Sequence, residues 1–170
     1  KTVGRTVRFK ATTWKQTLEG VRNGEADIHS GLFKSEDRAA WMGFSQPIQV
    51  IKTGLYTKLD SREGTSLTAL IGKPVGVVAG TYQARWMEKN HPGVKLHRVN
   101  DRTDYLIALI QGTIVAIVDE VPTVNAALAK FGLSGSVVRR EELYANAVHA
   151  GVRKENATLL KLIKTGLDDI

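Results

Sequence analysis

Two charged side chains stand where a strand should hand over to a helix, Arg38 and Asp119. In open α/β sheets ligands collect at the carboxyl ends of strands, so polar groups at such places are candidate site residues. Arg38 closes the cluster Ser35-Glu36-Asp37-Arg38 after the apolar-leaning run from Ala26 to Phe33. A planar guanidinium matches a carboxylate through two parallel hydrogen bonds. Pairing with Glu36 or Asp37 inside a helical turn, or plain surface exposure, is the other use of the same spacing. Ser35 either adds a hydroxyl to the bound acid or caps the turn that carries Arg38. Ser30 and Gly31 line the same strand end, where a small residue lets a ligand approach the backbone. Asp119 follows the buried run Ile114 to Val118. It either meets a ligand ammonium or caps the helix ahead of Pro122.

Gly80-Thr81 marks a third such place, between a strand Val75 to Ala79 and a helix beginning near Tyr82. A helix N-terminus carries free N–H groups and partial positive charge, which suits a carboxylate or phosphate. Thr81 as an N-cap is compatible with that use. Tyr82, Trp14 and Trp41 are candidate walls for an apolar ligand body, or core.

Other chemistries lack their residues. There is no cysteine, and His29, His91, His97 and His149 have no metal-ligand spacing, so no metal is expected. No nucleophile elbow, P-loop or dinucleotide fingerprint occurs, and no cofactor is expected. Were the chain an enzyme, Glu36, His29 or Glu120 would have to serve as acid or base. The net charge of +7 is spread, with no basic run beyond Arg139-Arg140. That pattern favours a solvated surface, with part of the excess attracting acids, over a nucleic-acid interface. At 170 residues and 42% apolar the chain can bury a core as one domain or two small lobes. No segment approaches the roughly 20 apolar residues that cross a bilayer. The first ten residues, KTVGRTVRFK, lack the apolar centre of a secretory signal.

The elements that would position these residues follow from periodicity. Val3 to Ala11 alternates as a strand; Thr13 caps a helix with Trp14, Leu18 and Val21 on one stripe, ended by Asn23-Gly24. Ile48 to Lys58 is extended, and Asp60 to Ser66 is loop. Strands at Val75 to Ala79, Lys95 to Val99 and Ile114 to Val118 alternate with helices starting at Tyr82, at Thr103 or Asp104, and around Pro122. Runs without alternation, such as Ile114 to Val118, suit a parallel sheet buried on both faces. Val137 to Arg140 reads as an edge strand, Asn146 to Arg153 as extended, and Asn156 or Thr158 as the start of a last helix through Leu159, Leu160, Ile163, Leu167 and Ile170.

Together, Asn23-Gly24, Asp27-Ile28, Gly31, S-x-x-R at Ser35 to Arg38 and F-S-x-P at Phe44 to Pro47 resemble the bacterial solute-binding proteins of family 3. Gly72-Lys73-Pro74, Gly80-Thr81 and Gly112 to Asp119 fall in the family's order. The resemblance implies a two-lobed α/β clamp of the periplasmic-binding-protein type, with lobe 1 at 1–56 and 148–170 and lobe 2 at 57–147. It assigns Arg38 to the ligand carboxylate. The family has a further strand and helix ahead of the segment matched by Val3 to Ala11, so the first lobe is expected to be incomplete, rearranged or filled by another chain, with dimerisation through it. The family also has an aspartate at the place of Val115. Tyr144 to Ile170 and the phrase SGLFKSEDR are similar to members fused to histidine kinases and diguanylate cyclases. The implied function is a periplasmic sensor domain for an amino acid or organic acid, part of an inner-membrane signalling protein and not itself an enzyme. The alternatives are a free subunit serving an ABC permease and a dehydratase-like enzyme.

Overall fold

A computed structural model describes residues 5–63 and 66–169. The chain forms two compact units, Lys1–Val50 with Ala147–Ile170 and Ile51–Asn146. It passes from one to the other within two strands, β3 (Gln49–Lys58) and β7 (Val137–Arg153).

In the first unit, α1 (Trp14–Asn23) starts at a capping box. Thr13 Oγ1 accepts from the Gln16 N–H and Gln16 Oε1 accepts from the Thr13 N–H, so two orphan donors are satisfied reciprocally. Gly24 ends the helix at φ 83°. The chain continues through β1 (Ile28–Phe33), α2 (Glu36–Ala39) and β2 (Met42–Phe44), and returns at the end of the protein as α6 (Ala157–Asp168). The last residues of β7 run antiparallel between β1 and β2, with Val152 opposite both Ile28 and Gly43. Val21, Leu32 and Met42 form the core, and Trp14, Leu18, Ala26, Trp41 and Phe44 pack around it.

The expected strand from Val3 to Ala11 does not form over its described residues. Val3 itself lies outside them, and residues 5–13 are irregular. Val7 is 64% and Phe9 89% exposed. Alternation makes a strand only where another strand supplies the ladder, and no strand pairs with this segment among the described residues.

The second unit orders its strands β7, β3, β6 (Ala116–Glu120), β4 (Pro74–Val78), β5 (Lys95–Val99). β4 is parallel to β5 and β6, and β6 is antiparallel to β3. Helices α3 (Tyr82–Asn90) and α4 (Arg102–Gln111) make the crossovers between the parallel strands, and α5 (Val121–Lys130) follows β6. Both faces of β4 and β6 are covered, which is why Val75 to Val78 and Ala116 to Val118 read as unbroken apolar runs. One face packs Leu55, Val75, Val77, Met87, Ala116 and Val118. Gly76 lies where a β-carbon would stand 2.6 Å from Ile114 Cδ1 and 3.0 Å from Tyr105 Cβ. The first of these atoms can swing away and the second cannot. Gly76→Ala is therefore expected to cost about 1–3 kcal/mol by overpacking, read from the urea midpoint, and an unchanged midpoint would refute the close approach.

Two boundaries differ from the sequence reading. β6 begins at Ala116 and holds Asp119 and Glu120 inside the strand. Val137 to Arg140 and Asn146 to Arg153 are the two ends of one strand, because the residues between them, Glu141 to Ala145, keep strand geometry. In the second unit β7 is indeed an edge. Ile170 lies outside the described residues.

Candidate functional site

The first unit presents Arg38. Ser35 is the N-cap of α2 and its hydroxyl accepts from the Arg38 N–H at 3.4 Å. The Arg38 side chain turns inward to 2% exposure, donates from Nη1 to the Phe33 carbonyl at 2.7 Å, and lies 5.4 Å over the Trp14 ring. A guanidinium on an indole face is held by the ring quadrupole, and the carbonyl at the end of β1 fixes its direction. Ser30 and Gly31 lie where the β1–β7 register breaks between His29 and Leu32. A β-carbon on Gly31 would come 3.1 Å from Val148 Cγ1, so a side chain there would press on Val148.

His29 is a satisfied interior histidine, buried with both ring nitrogens engaged. The Gly31 N–H donates to its Nδ1 at 3.3 Å. The proton must then sit on Nε2, which faces Thr17 Oγ1 at 3.2 Å; Thr17 in turn donates to the Trp14 carbonyl at 2.7 Å. His29 also meets the Trp14 ring edge-on at 5.2 Å. Burial, then the charge of Arg38, push its pKa down to about 4. It is therefore a neutral bracket fixing the Trp14 platform beneath Arg38.

The second unit places Gly80, Thr81 and Tyr82 at the start of α3. Gly80 takes φ 71°. Thr81 is buried; its hydroxyl donates to the Val78 carbonyl at 2.7 Å and accepts from the Ala84 N–H at 3.2 Å. Its side chain is thus an N-cap, and the helix terminus behind it keeps its positive character. Tyr82 meets Tyr144 at 5.8 Å, and Tyr144 lies 4.6 Å from Trp86, forming an aromatic cluster.

Asp119 is buried and engaged by three donors. Oδ2 accepts from Arg102 Nε and from the Tyr105 hydroxyl, each at 2.9 Å, and Oδ1 accepts from the Glu120 N–H at 2.8 Å. Burial works against the Arg102 charge, but Asp119, with Tyr105 and Glu120 adding to it, raises the guanidinium pKa on balance. Burial first, then Asp119, raise Tyr105 far above the ordinary phenol range. Glu120, on the opposite face of the strand, accepts from Gln83 Nε2 at 3.2 Å and Thr123 Oγ1 at 3.3 Å. Burial, followed by the charge of Asp119, raises its pKa. The Tyr56 hydroxyl is buried without a hydrogen-bond partner among the described residues, and burial raises it to about 12.

Arg102 and Tyr105 escaped the sequence reading. One signal was available: Arg102 opens α4, where the helix dipole disfavours a cation, so an arginine there calls for a partner. Its spacing from Tyr105 puts both on one helix face.

The chain is similar in sequence and fold to several known proteins. Over 180 aligned residues the chain is 27% identical to the L-cystine-binding protein TcyJ of Escherichia coli strain K12, with all of this chain aligned and 64% of that protein. It therefore spans 64% of the length of the curated relatives it matches. The structure of holo ArgBP from T. maritima superposes with a TM-score of 0.87 at 25% identity, covering 98% of this chain and 74% of that one. A histidine kinase sensor domain with similarity to periplasmic binding proteins shares the fold, at a TM-score of 0.88 and 22% identity over 96% of this chain and 72% of that one. The model of the bacterial extracellular solute-binding proteins, family 3, matches residues 1–170. With the arginine turn and the capped glycine-threonine helix start inside a match of that extent, the chain belongs to the bacterial extracellular solute-binding proteins of family 3.

Proposed function

We propose that this chain is a periplasmic binding domain for a small carboxylate-bearing solute, amino-acid-like or a simple organic acid, and that it binds without turnover. The observation that carries the reading is Arg38, a buried guanidinium aimed by the Phe33 carbonyl and stacked on Trp14. A charge held this way has lost its entropy before the ligand arrives, which is what oriented capture of a carboxylate needs. In this reading Ser35 assists Arg38, Ser30 and Gly31 leave room for the ligand, and the helix end at Gly80-Thr81 adds positive potential. Tyr82 is an aromatic wall, and Asp119 is the acidic group of the second unit. Relatives support the substrate class: TcyJ is named for L-cystine, and ArgBP of T. maritima has been solved with arginine.

The test is a thermal-shift screen of amino acids, polyamines and small acids, followed by calorimetry on hits, since a ligand bound only by the folded state raises the melting temperature. Arg38→Met is expected to weaken a hit by roughly 10–100-fold, the worth of a charge-assisted pair. Full affinity in a folded Arg38→Met protein would remove the arginine from the site.

The likeness of SGLFKSEDR and the last 27 residues, Tyr144–Ile170, to sensor-fused members favours an input domain of a membrane histidine kinase or diguanylate cyclase. A free subunit of an ABC transporter is the second reading, favoured by the identity to TcyJ. The full-length protein stays with the membrane fraction in the first case and is released by osmotic shock in the second. No helix among the described residues is long and apolar enough to cross a membrane.

A further inference from the structure

Asp119 is the acid a ligand ammonium would seek in the second unit, and the chain already supplies a cation to it. Arg102 Nε stands 2.9 Å from Oδ2, the Tyr105 hydroxyl shares that oxygen, and the Glu120 N–H takes Oδ1. A carboxylate so surrounded has its charge matched and three of its acceptor positions filled. An arriving ammonium would meet a guanidinium beside it and would have to displace Arg102 or bear the like-charge repulsion. Glu120 does not substitute, because adjacent strand residues face opposite sides and its oxygens accept from Gln83 and Thr123.

Arg102 uses only its Nε for Asp119. Its terminal nitrogens donate to no residue among those described, and its side chain is 30% exposed. Asp119 thus aims the arginine, as second-layer carboxylates aim ligating side chains, and leaves the outer edge of the guanidinium for an acceptor. The positive start of α4 lies behind it.

We propose that Arg102 is the specificity-determining residue of the second unit. It turns the Asp119 position from a receptor for an ammonium into a receptor for an anionic oxygen, so that the domain selects acids without an amino group over the matching amino acids. This rests on the solute-binding reading and narrows its substrate class to deaminated acids, dicarboxylates foremost.

The experiment uses matched pairs that differ only by the amino group, succinate against aspartate and glutarate against glutamate, with arginine and cystine as further amino-acid probes. Affinities are measured by calorimetry on the wild-type chain, Arg102→Met and Arg102→Lys. The wild type is expected to bind the deaminated member at least tenfold more tightly. Arg102→Met, which frees Asp119, is expected to shift the ratio at least tenfold towards the amino acid, while Arg102→Lys keeps the wild-type order. Equal or tighter binding of the amino acids by the wild type overturns the proposal, as does an unchanged ratio in folded Arg102→Met. Should Arg102→Met fail to fold, the wild-type ratio and its retention in Arg102→Lys decide the matter. If the folded wild type binds no probe of either kind, the solute-binding reading fails for these solutes and the selectivity falls with it. If it binds amino acids well, only the selectivity fails.

Discussion

Asp119→Ala is expected to destabilise the protein by about 3 kcal/mol at neutral pH, at the low end of the range for breaking a buried ion pair. The low end applies because Arg102 is 30% exposed at its side chain and can turn to water. Tyr105 cannot: it is buried at 0% exposure and would lose its acceptor, at roughly 1–3 kcal/mol for a stranded hydroxyl. For a chain of this size the midpoint of thermal unfolding should fall by roughly 6–12 °C. Tyr105→Phe in the same background removes the stranded group, so the double variant should be less destabilised than the two single effects added together. Such a cycle isolates the coupling between the two side chains. A loss below about 1 kcal/mol for Asp119→Ala would show that the three donors do not depend on this carboxylate.

The second large effect is a dependence on acidity that runs through His29. Its pKa is about 4 in the folded protein against 6.5 for an ordinary imidazole, chiefly through burial and secondarily through Arg38. The unfolded chain therefore takes up the proton first as pH falls. The stability tied to the neutral ring is complete above pH 6.5 and drains away between 6.5 and about 4, a loss of about 3 kcal/mol by the end of that window. His29→Gln, which presents an uncharged side chain at every pH, should be less stable at pH 7 yet flatter across this interval. Urea midpoints at pH 7, 5.5 and 4.5 make the comparison. Parallel curves for the two proteins would mean that the acid sensitivity lies elsewhere.

The sequence carried much of this architecture because local and global signals agreed. Thr13 with Gln16 at one end of α1 and Asn23-Gly24 at the other mark a helix in any context. The apolar runs at Val75 and Ile117 could only be buried from both sides. Signals that depend on a distant partner were less legible. Alternation at Val7 and Phe9 describes a strand, yet these residues are exposed and unpaired among the described residues, since pairing is a property of two segments. The site divided the same way. Ser35 and Arg38 were visible as a capped turn, because the whole motif lies within four consecutive residues. Arg102 and Tyr105 reach Asp119 from a different element, 17 and 14 residues away along the chain, and only the packing of α4 on the sheet brings them there.

The stack of Arg38, Trp14 and His29 gives the protein a built-in optical probe. Trp14 has a guanidinium 5.4 Å from one aspect of its ring and an imidazole 5.2 Å from another, and indole emission responds to charge at such distances. Occupancy of the arginine and protonation of the histidine would therefore write to the same chromophore. Trp41, set against Arg22, and Trp86, set against Tyr144 and His91, emit alongside it, so a Trp14→Phe variant isolates its share of the signal.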